Sequence, residues 1–219
     1  MAALKVGTDA VLLGAAMTLI PSDRLMLDIG TGTGVIALMA AQRHPEAHIT
    51  AIDIDGPSAR EAAINFGASP WTDRLESIHA PLSGFNAAEP FDLIFSNPPY
   101  YDNSLTNPNA RESAARHTGS LSFREICAYA SEHLTPCGRL SLILPSDAER
   151  ALVRTAASFG LHPFRILRVR TTAEKAPARI VCEFSRTHTA PSEEELILQN
   201  GNARTAAYSE LTREFYLQG

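Results

Sequence analysis

Strand-length apolar runs recur at residues 25–29, 48–53, 75–80, 91–96 and 139–144, and stretches with helical apolar spacing lie among them at 35–43, 57–68, 122–134 and 147–159. Apolar strands separated by amphipathic helices imply a parallel sheet covered on both faces, the doubly wound α/β architecture. Two further strands, at 164–169 and 179–184, have only residues 170–178 between them. That is too short for a helical crossover, so these two pair as an antiparallel C-terminal hairpin. Residues 97–120 form a polar stretch rich in Asn, Ser, Arg and Pro. Structureless loops of that length are usually functional, and it reads as a substrate lid.

Composition adds bounds. The 219 residues, 45% hydrophobic and 20% charged, fit one globular domain: an N-terminal helical segment (1–20), a ligand-binding core (21–160), and a hairpin with a tail (161–219). Cys127, Cys137 and Cys182 are odd in number and widely spaced, which argues against a disulfide framework or zinc ribbon and fits a reducing cytoplasm. The longest apolar stretch, 10–20, is far short of a bilayer span. Preceded by Asp9 and by a single cation, Lys5, it is also a poor secretory leader. The six histidines outside the polar loop, His44, His48, His79, His133, His162 and His188, have no ligand spacing, and no metal site is expected.

The net charge is −5, but it is unevenly spread, because residues 148–186 hold eight Lys/Arg against three Asp/Glu. A basic segment on an acidic body suits a phosphate backbone, and equally suits a solvated Arg-rich surface. Arg165, Arg168, Arg170, Lys175 and Arg179 around the hairpin, with Arg111, Arg116 and His117 in the polar loop, are the candidate substrate-phosphate contacts.

The first strand runs directly into Asp28-Ile29-Gly30-Thr31-Gly32-Thr33-Gly34 and then a helix. Glycines there permit a tight turn and let backbone amides approach a ligand. Their spacing is GxGxG, not the GxGxxG of dinucleotide sites. Asp28 is placed to accept from a ligand ammonium or a loop amide. Asp53, ending the second strand, can take both hydroxyls of a ribose. Asp55 reads as the cap of the next helix. S-adenosylmethionine, which has a ribose and a zwitterionic amino acid but no pyrophosphate, fits this site, with NAD the alternative ligand.

The fourth strand delivers Asn97-Pro98-Pro99-Tyr100 at its carboxyl end, the edge where open α/β sheets bind ligands. The prolines hold the backbone rigid. The Asn97 side-chain oxygen and the Pro98 carbonyl can accept the two N–H groups of a planar amine while Tyr100 stacks on the base. That arrangement aims the nitrogen lone pair at a sulfonium methyl and stabilises the charge that develops.

These motifs, with Lys5-Val6-Gly7-Thr8-Asp9, Ala68-Ser69-Pro70-Trp71, Ala115-Arg116-His117-Thr118 and the terminal Leu211-Thr212-Arg213-Glu214-Phe215-Tyr216-Leu217, resemble the bacterial tRNA (adenine-N6)-methyltransferases that act on adenosine 37 of valine tRNA. The resemblance covers nearly the whole chain and implies a Rossmann-like, seven-stranded methyltransferase sheet whose last strand is inserted antiparallel. It also implies that residues 5–9 close over the methionine end of the donor, with Thr8 or Asp9 capping the helix behind. The expected donor site is then Lys5, Gly7, Thr8, Asp28, Gly30, Thr31, Gly32, Gly34, Asp53, Ile54, Pro81 and Asn97, and the catalytic motif is residues 97–100. Pro81 stands where relatives carry an acidic residue for the donor adenine, leaving that base to backbone contacts. Only Met1 to Leu4 precede the Lys5 segment, where relatives carry extra basic and aromatic residues. Trp71 reads as core. The implied substrate is tRNA, with no protein partner evident. Alternatives are a protein glutamine N5-methyltransferase acting on release factors, which normally has a preceding helical domain, and a nonenzymatic donor-binding subunit.

Overall fold

The computed structural model describes residues 7–99 and 121–216. Lys5, Tyr100, Arg111, Arg116 and His117 lie outside the described residues, as does most of the polar loop.

Five parallel strands form the body of the sheet: β1 (Leu25–Ile29), β2 (His48–Asp53), β3 (Leu75–His79), β4 (Phe91–Ser96) and β5 (Leu134–Pro145). The hairpin of β6 (His162–Arg170) and β7 (Arg179–Ser185) completes the expected pattern, with β7 inserted antiparallel between β5 and β6. An eighth strand, β8 (Ser192–Ile197), lies parallel to β6 at the edge, so the order is β3-β2-β1-β4-β5-β7-β6-β8. The expected seven strands are therefore joined by one more. Its sequence, Ser-Glu-Glu-Glu-Leu-Ile, gives no apolar alternation, and four of its six residues are exposed. What holds it is the neighbouring strand. Arg165 pairs with Glu194, Arg168 with Glu193 and Arg170 with Glu195 across the β6–β8 boundary, at 2.5 to 2.8 Å. A short ladder of β9 (Gln199–Asn200) and β10 (Ala203–Arg204) follows.

Helices α1 (Thr8–Ala16), α2 (Val35–Arg43) and α3 (Gly56–Gly67), with the C-terminal α6 (Ala206–Thr212), pack on one face of the sheet, around Met26, Ile49, Leu93 and Phe95. Helices α4 (Phe123–His133) and α5 (Glu149–Ser158) cover the other, against Leu27, Ile29, Ile94 and Leu142. Period-2 alternation along β1 and β2 thus directs Asp28 and Asp53 toward the α2 side, beneath the glycine turn. Leu196 and Tyr208 join the α1–α2 cluster, so the C-terminal segment shares that core. Trp71 packs partly buried against the same cluster, as expected.

The expected caps divide. Asp55 caps α3, accepting from the Ser58 amide at 2.9 Å. At α1 the N-cap is Gly7, with no side-chain cap; Thr8 is already helical, and Asp9 turns to Arg179 at 2.8 Å. Strand β5 begins at Leu134, earlier than its apolar run, because α4 passes directly into it through a Thr-Pro-Cys-Gly segment whose composition reads as a turn. The three cysteines are free. Among the described residues no helix is long and apolar enough to cross a membrane.

Candidate active site

Strand pairing brings the two motifs together. Ile29 pairs with Ser96 at the ends of β1 and β4, and the Ser96 hydroxyl donates to the Ile29 carbonyl at 2.6 Å. Gly30 and Asn97 therefore leave the sheet side by side, roughly one strand spacing of ~4.8 Å apart. They open onto a cleft of about 590 Å³ lined by Gly30, Asp53, Ile54, residues 80–83, Pro99, Leu121 and Glu125. The described chain departs at Pro99 and resumes at Leu121, both on this cleft.

The glycine turn has the backbone its residues predict. Gly30, Gly32 and Gly34 have φ of 71°, 58° and 81°. At Gly34 a Cβ would also lie 2.5 Å from the Phe66 ring, so α3 packs where a side chain would stand. The amides of the turn, however, face inward. Gly30 and Thr31 donate to the Ile52 carbonyl at 2.9 and 3.1 Å, and Gly34 to the Thr31 carbonyl at 3.0 Å. The Gly32 amide donates to Asp53 Oδ2 at 2.8 Å. The turn thus offers a ligand a close backbone surface more than a row of donors. A Cβ on Gly32 would meet nothing within 4 Å, which leaves a cradle open beside the cleft.

Asp53 is 9% exposed and binds two backbone amides, that of Gly32 through Oδ2 and that of Asp55 through Oδ1, both at 2.8 Å. A carboxylate has about four lone-pair positions, so two remain for a pair of hydroxyls in the cleft. Ile54 beside it is 51% exposed, an apolar surface on a wall shared with Pro81 and Leu82. The cleft also holds a carboxylate that the sequence does not single out. Glu125, in the first turn of α4, also lines the cleft. Its carboxylate already accepts from the Ser122 amide at 2.9 Å and the Ser122 hydroxyl at 2.7 Å, a capping box. The Ser-x-x-Glu spacing announces the helix start, and nothing in it announces a cleft.

Asp28 does not reach the cleft surface. It is wholly buried, accepts the Thr31 hydroxyl at 2.6 Å through Oδ2, and has no partner at Oδ1. Its expected loop contact is therefore a side-chain hydroxyl in place of an amide. Burial, reinforced by the nearby Asp53 charge, pushes its carboxyl up to about 7. Between roughly pH 4 and 7 the folded protein keeps a proton that the unfolded chain has released, so rising pH draws the equilibrium toward unfolding. Across that window wild type is expected to lose stability relative to Asp28→Asn, by on the order of 4 kcal/mol in total, and the difference is expected to level off above pH 7. Urea denaturation of both proteins from pH 4 to 8 checks this; a constant difference would refute it.

The basic hairpin is not a free cationic face. Arg165 is shared by Glu183 and Glu194, Arg168 by Glu149 and Glu193, and Arg170 is paired with Glu195 and Arg179 with Asp9. Only Lys175 of this candidate set is exposed without an ion pair among the described residues. Charge counted along the chain concealed the compensation by β8. Arg168→Ala is accordingly expected to cost about 1 kcal/mol of stability and to leave the salt dependence of RNA binding unchanged. A shallower salt slope in that variant would return Arg168 to the docking face.

Similarity to known proteins agrees with this geometry. The family described as Methyltransferase small domain matches residues 5–157. A tRNA1(Val) (adenine(37)-N6)-methyltransferase of Aliivibrio fischeri is 37% identical over 214 residues, 98% of this chain and 91% of the relative. Its namesake from Bacteroides fragilis is 41% identical over 220 residues, 99% and 92% of the two chains. Among solved structures, a protein of Agrobacterium tumefaciens described as a predicted O-methyltransferase superposes with a TM-score of 0.73 at 19% identity, covering 94% of this chain and 96% of its own. A methyltransferase from Pyrococcus furiosus gives 0.61 at 21% identity, covering 83% and 84%. The two solved structures share the fold, and the two sequences share nearly the full length. The chain belongs to the methyltransferase small domain family and, within it, to the family of tRNA1(Val) (adenine(37)-N6)-methyltransferases.

Proposed function

We propose that this protein methylates the N6 amino group of adenosine 37 in valine tRNA, using S-adenosylmethionine as methyl donor. The observation that carries the reading is the side-by-side exit of Gly30 and Asn97 onto one cleft, with Asp53 on its wall. The residues present fit the donor: Asp53 for the ribose hydroxyls, the Gly30–Gly32 surface for close approach, and Ile54 with Pro81 for the adenine. Glu125 supplies a carboxylate near that base. Gly7, Thr8 and Lys5 belong to the segment expected over the methionine end, although Thr8 itself stands on a second cavity and not on this cleft. When bound, the donor supplies an electrophilic methyl on sulfonium.

The chain's own contribution is placement. The Asn97 side-chain oxygen and the Pro98 carbonyl accept the two N–H groups of the target amine, and Tyr100 stacks on its base. Pro98 and Pro99 keep these acceptors from relaxing toward other geometries. Positive charge arising on the amine strengthens both hydrogen bonds, so they stabilise the transition state more than the ground state. The proton is lost from the charged nitrogen without a dedicated base.

The test is transfer of labelled methyl into tRNA lacking this modification, with a release factor assayed in parallel, followed by nucleoside analysis. Label recovered as N6-methyladenosine in valine tRNA is the expected outcome. Label in the release factor, or in neither, would overturn the reading.

A further inference from the structure

A second cavity, of about 400 Å³, opens on the same carboxyl edge of the sheet. Its walls come from the first turn of α1, the ends of β6 and β8, the start of β7, and the β10–α6 segment. By strand order β6 lies three strands from β4, so the cavity is roughly 14 Å along the sheet edge from Asn97 at ~4.8 Å per strand.

Arg204 gives this cavity its chemistry. Its guanidinium lies 4.1 Å from the centre of the Tyr216 ring and 5.5 Å from that of Tyr208. Tyr208 is buried, which with the adjoining Tyr216 raises its phenol to about 12, so its ring faces the guanidinium as a neutral aromatic. Among the described residues Arg204 has no carboxylate partner, and none of its N–H groups has an acceptor. The other arginine of the wall, Arg179, is held by Asp9. An arginine fixed by aromatic contacts with its planar set of donors unused is prepared for an anion or for the edge of a base. Thr171 and Gln199 add neutral hydrogen-bonding groups beside it.

We infer that this cavity binds a nucleotide of the RNA substrate flanking the target adenosine, with its phosphate on Arg204 and its base edge toward Thr171 and Gln199. The inference rests on the proposed tRNA reading and adds a recognition site outside the donor cleft. It also relocates the docking charge. The ion-paired arginines of the hairpin brace the sheet, and Arg204 meets the RNA.

The experiment uses the full chain and an anticodon stem-loop RNA of valine tRNA. Arg204→Ala is expected to raise the KM for this RNA about tenfold, the loss of one charge-assisted phosphate contact, with kcat and donor affinity unchanged. Arg204→Lys should recover most of that loss, because an ammonium still binds phosphate as a point charge. With 4-thiouridine beside the target adenosine, irradiation is expected to attach the RNA to residues 203–216. An unchanged KM in Arg204→Ala, or cross-links confined to other segments, would overturn the inference. If wild type methylates the RNA and Arg204→Ala matches it, this site alone fails. If wild type does not methylate the RNA at all, the functional reading fails with it.

Discussion

Asn97→Ala is expected to reduce methyl transfer to RNA by at least a thousandfold while leaving the dissociation constant for S-adenosylmethionine within about threefold of wild type. Asn97 follows a strand end that is already anchored, with Ser96 buried and bonded to Ile29, and Pro98 is buried behind it. When the side chain is shortened, Ser96 and Pro98 still hold the strand end on either side. In the proposed mechanism what disappears is an acceptor whose hydrogen bond strengthens as the amine becomes positive, so the loss falls on kcat. A single preorganised group of this kind is worth about 10²–10³ in rate, and misaiming the lone pair adds to it. Single-turnover transfer of labelled methyl, with calorimetric titration of the donor, separates the two effects. Near-wild-type turnover would end the mechanism.

Asp53→Ala should show the opposite division. The carboxylate binds the glycine turn through the Gly32 amide and the start of α3 through the Asp55 amide, and its remaining lone pairs are those proposed for the donor ribose. Losing charge-assisted bonds at ~1.5–3 kcal/mol each is expected to weaken donor binding about a hundredfold. The untethered turn adds about 1–2 kcal/mol of lost stability. With saturating donor, kcat should return to within a few-fold of wild type, because Asp53 touches neither the target amine nor its acceptors. Asp53→Asn keeps one carbonyl acceptor and should fall between. Titration of the donor and the rate at saturation are the measurements. An Asp53→Ala protein with wild-type donor affinity would remove this residue from the site.

Much of the site was legible because its parts are local. The glycine turn follows its strand directly, and Asn97 follows another, so each motif carries its own structural address. The parallel direction implied by strands alternating with helices then placed both at one sheet edge. Glu125 and Leu121 were not legible. They reach the cleft only because the chain after the polar loop returns beside Gly30, where a Cβ would lie 3.4 Å from Leu121. The inward direction of the turn amides was equally hidden, since it depends on the Ile52 carbonyl and Asp53 of the neighbouring strand.

The amino-acid sequence by itself determined the parallel strands, the antiparallel hairpin, the left-handed glycine turn and the Asn97 motif, because apolar periodicity and backbone restriction act over a few residues. Tertiary structure decided what the charges do. Residues 148–186 are basic and residues 187–219 acidic, and only the parallel pairing of β6 with β8 sets Arg165, Arg168 and Arg170 against Glu194, Glu193 and Glu195. Coulombic attraction depends on distance in space, and residues 25 to 29 positions apart in the chain meet there within hydrogen-bonding range.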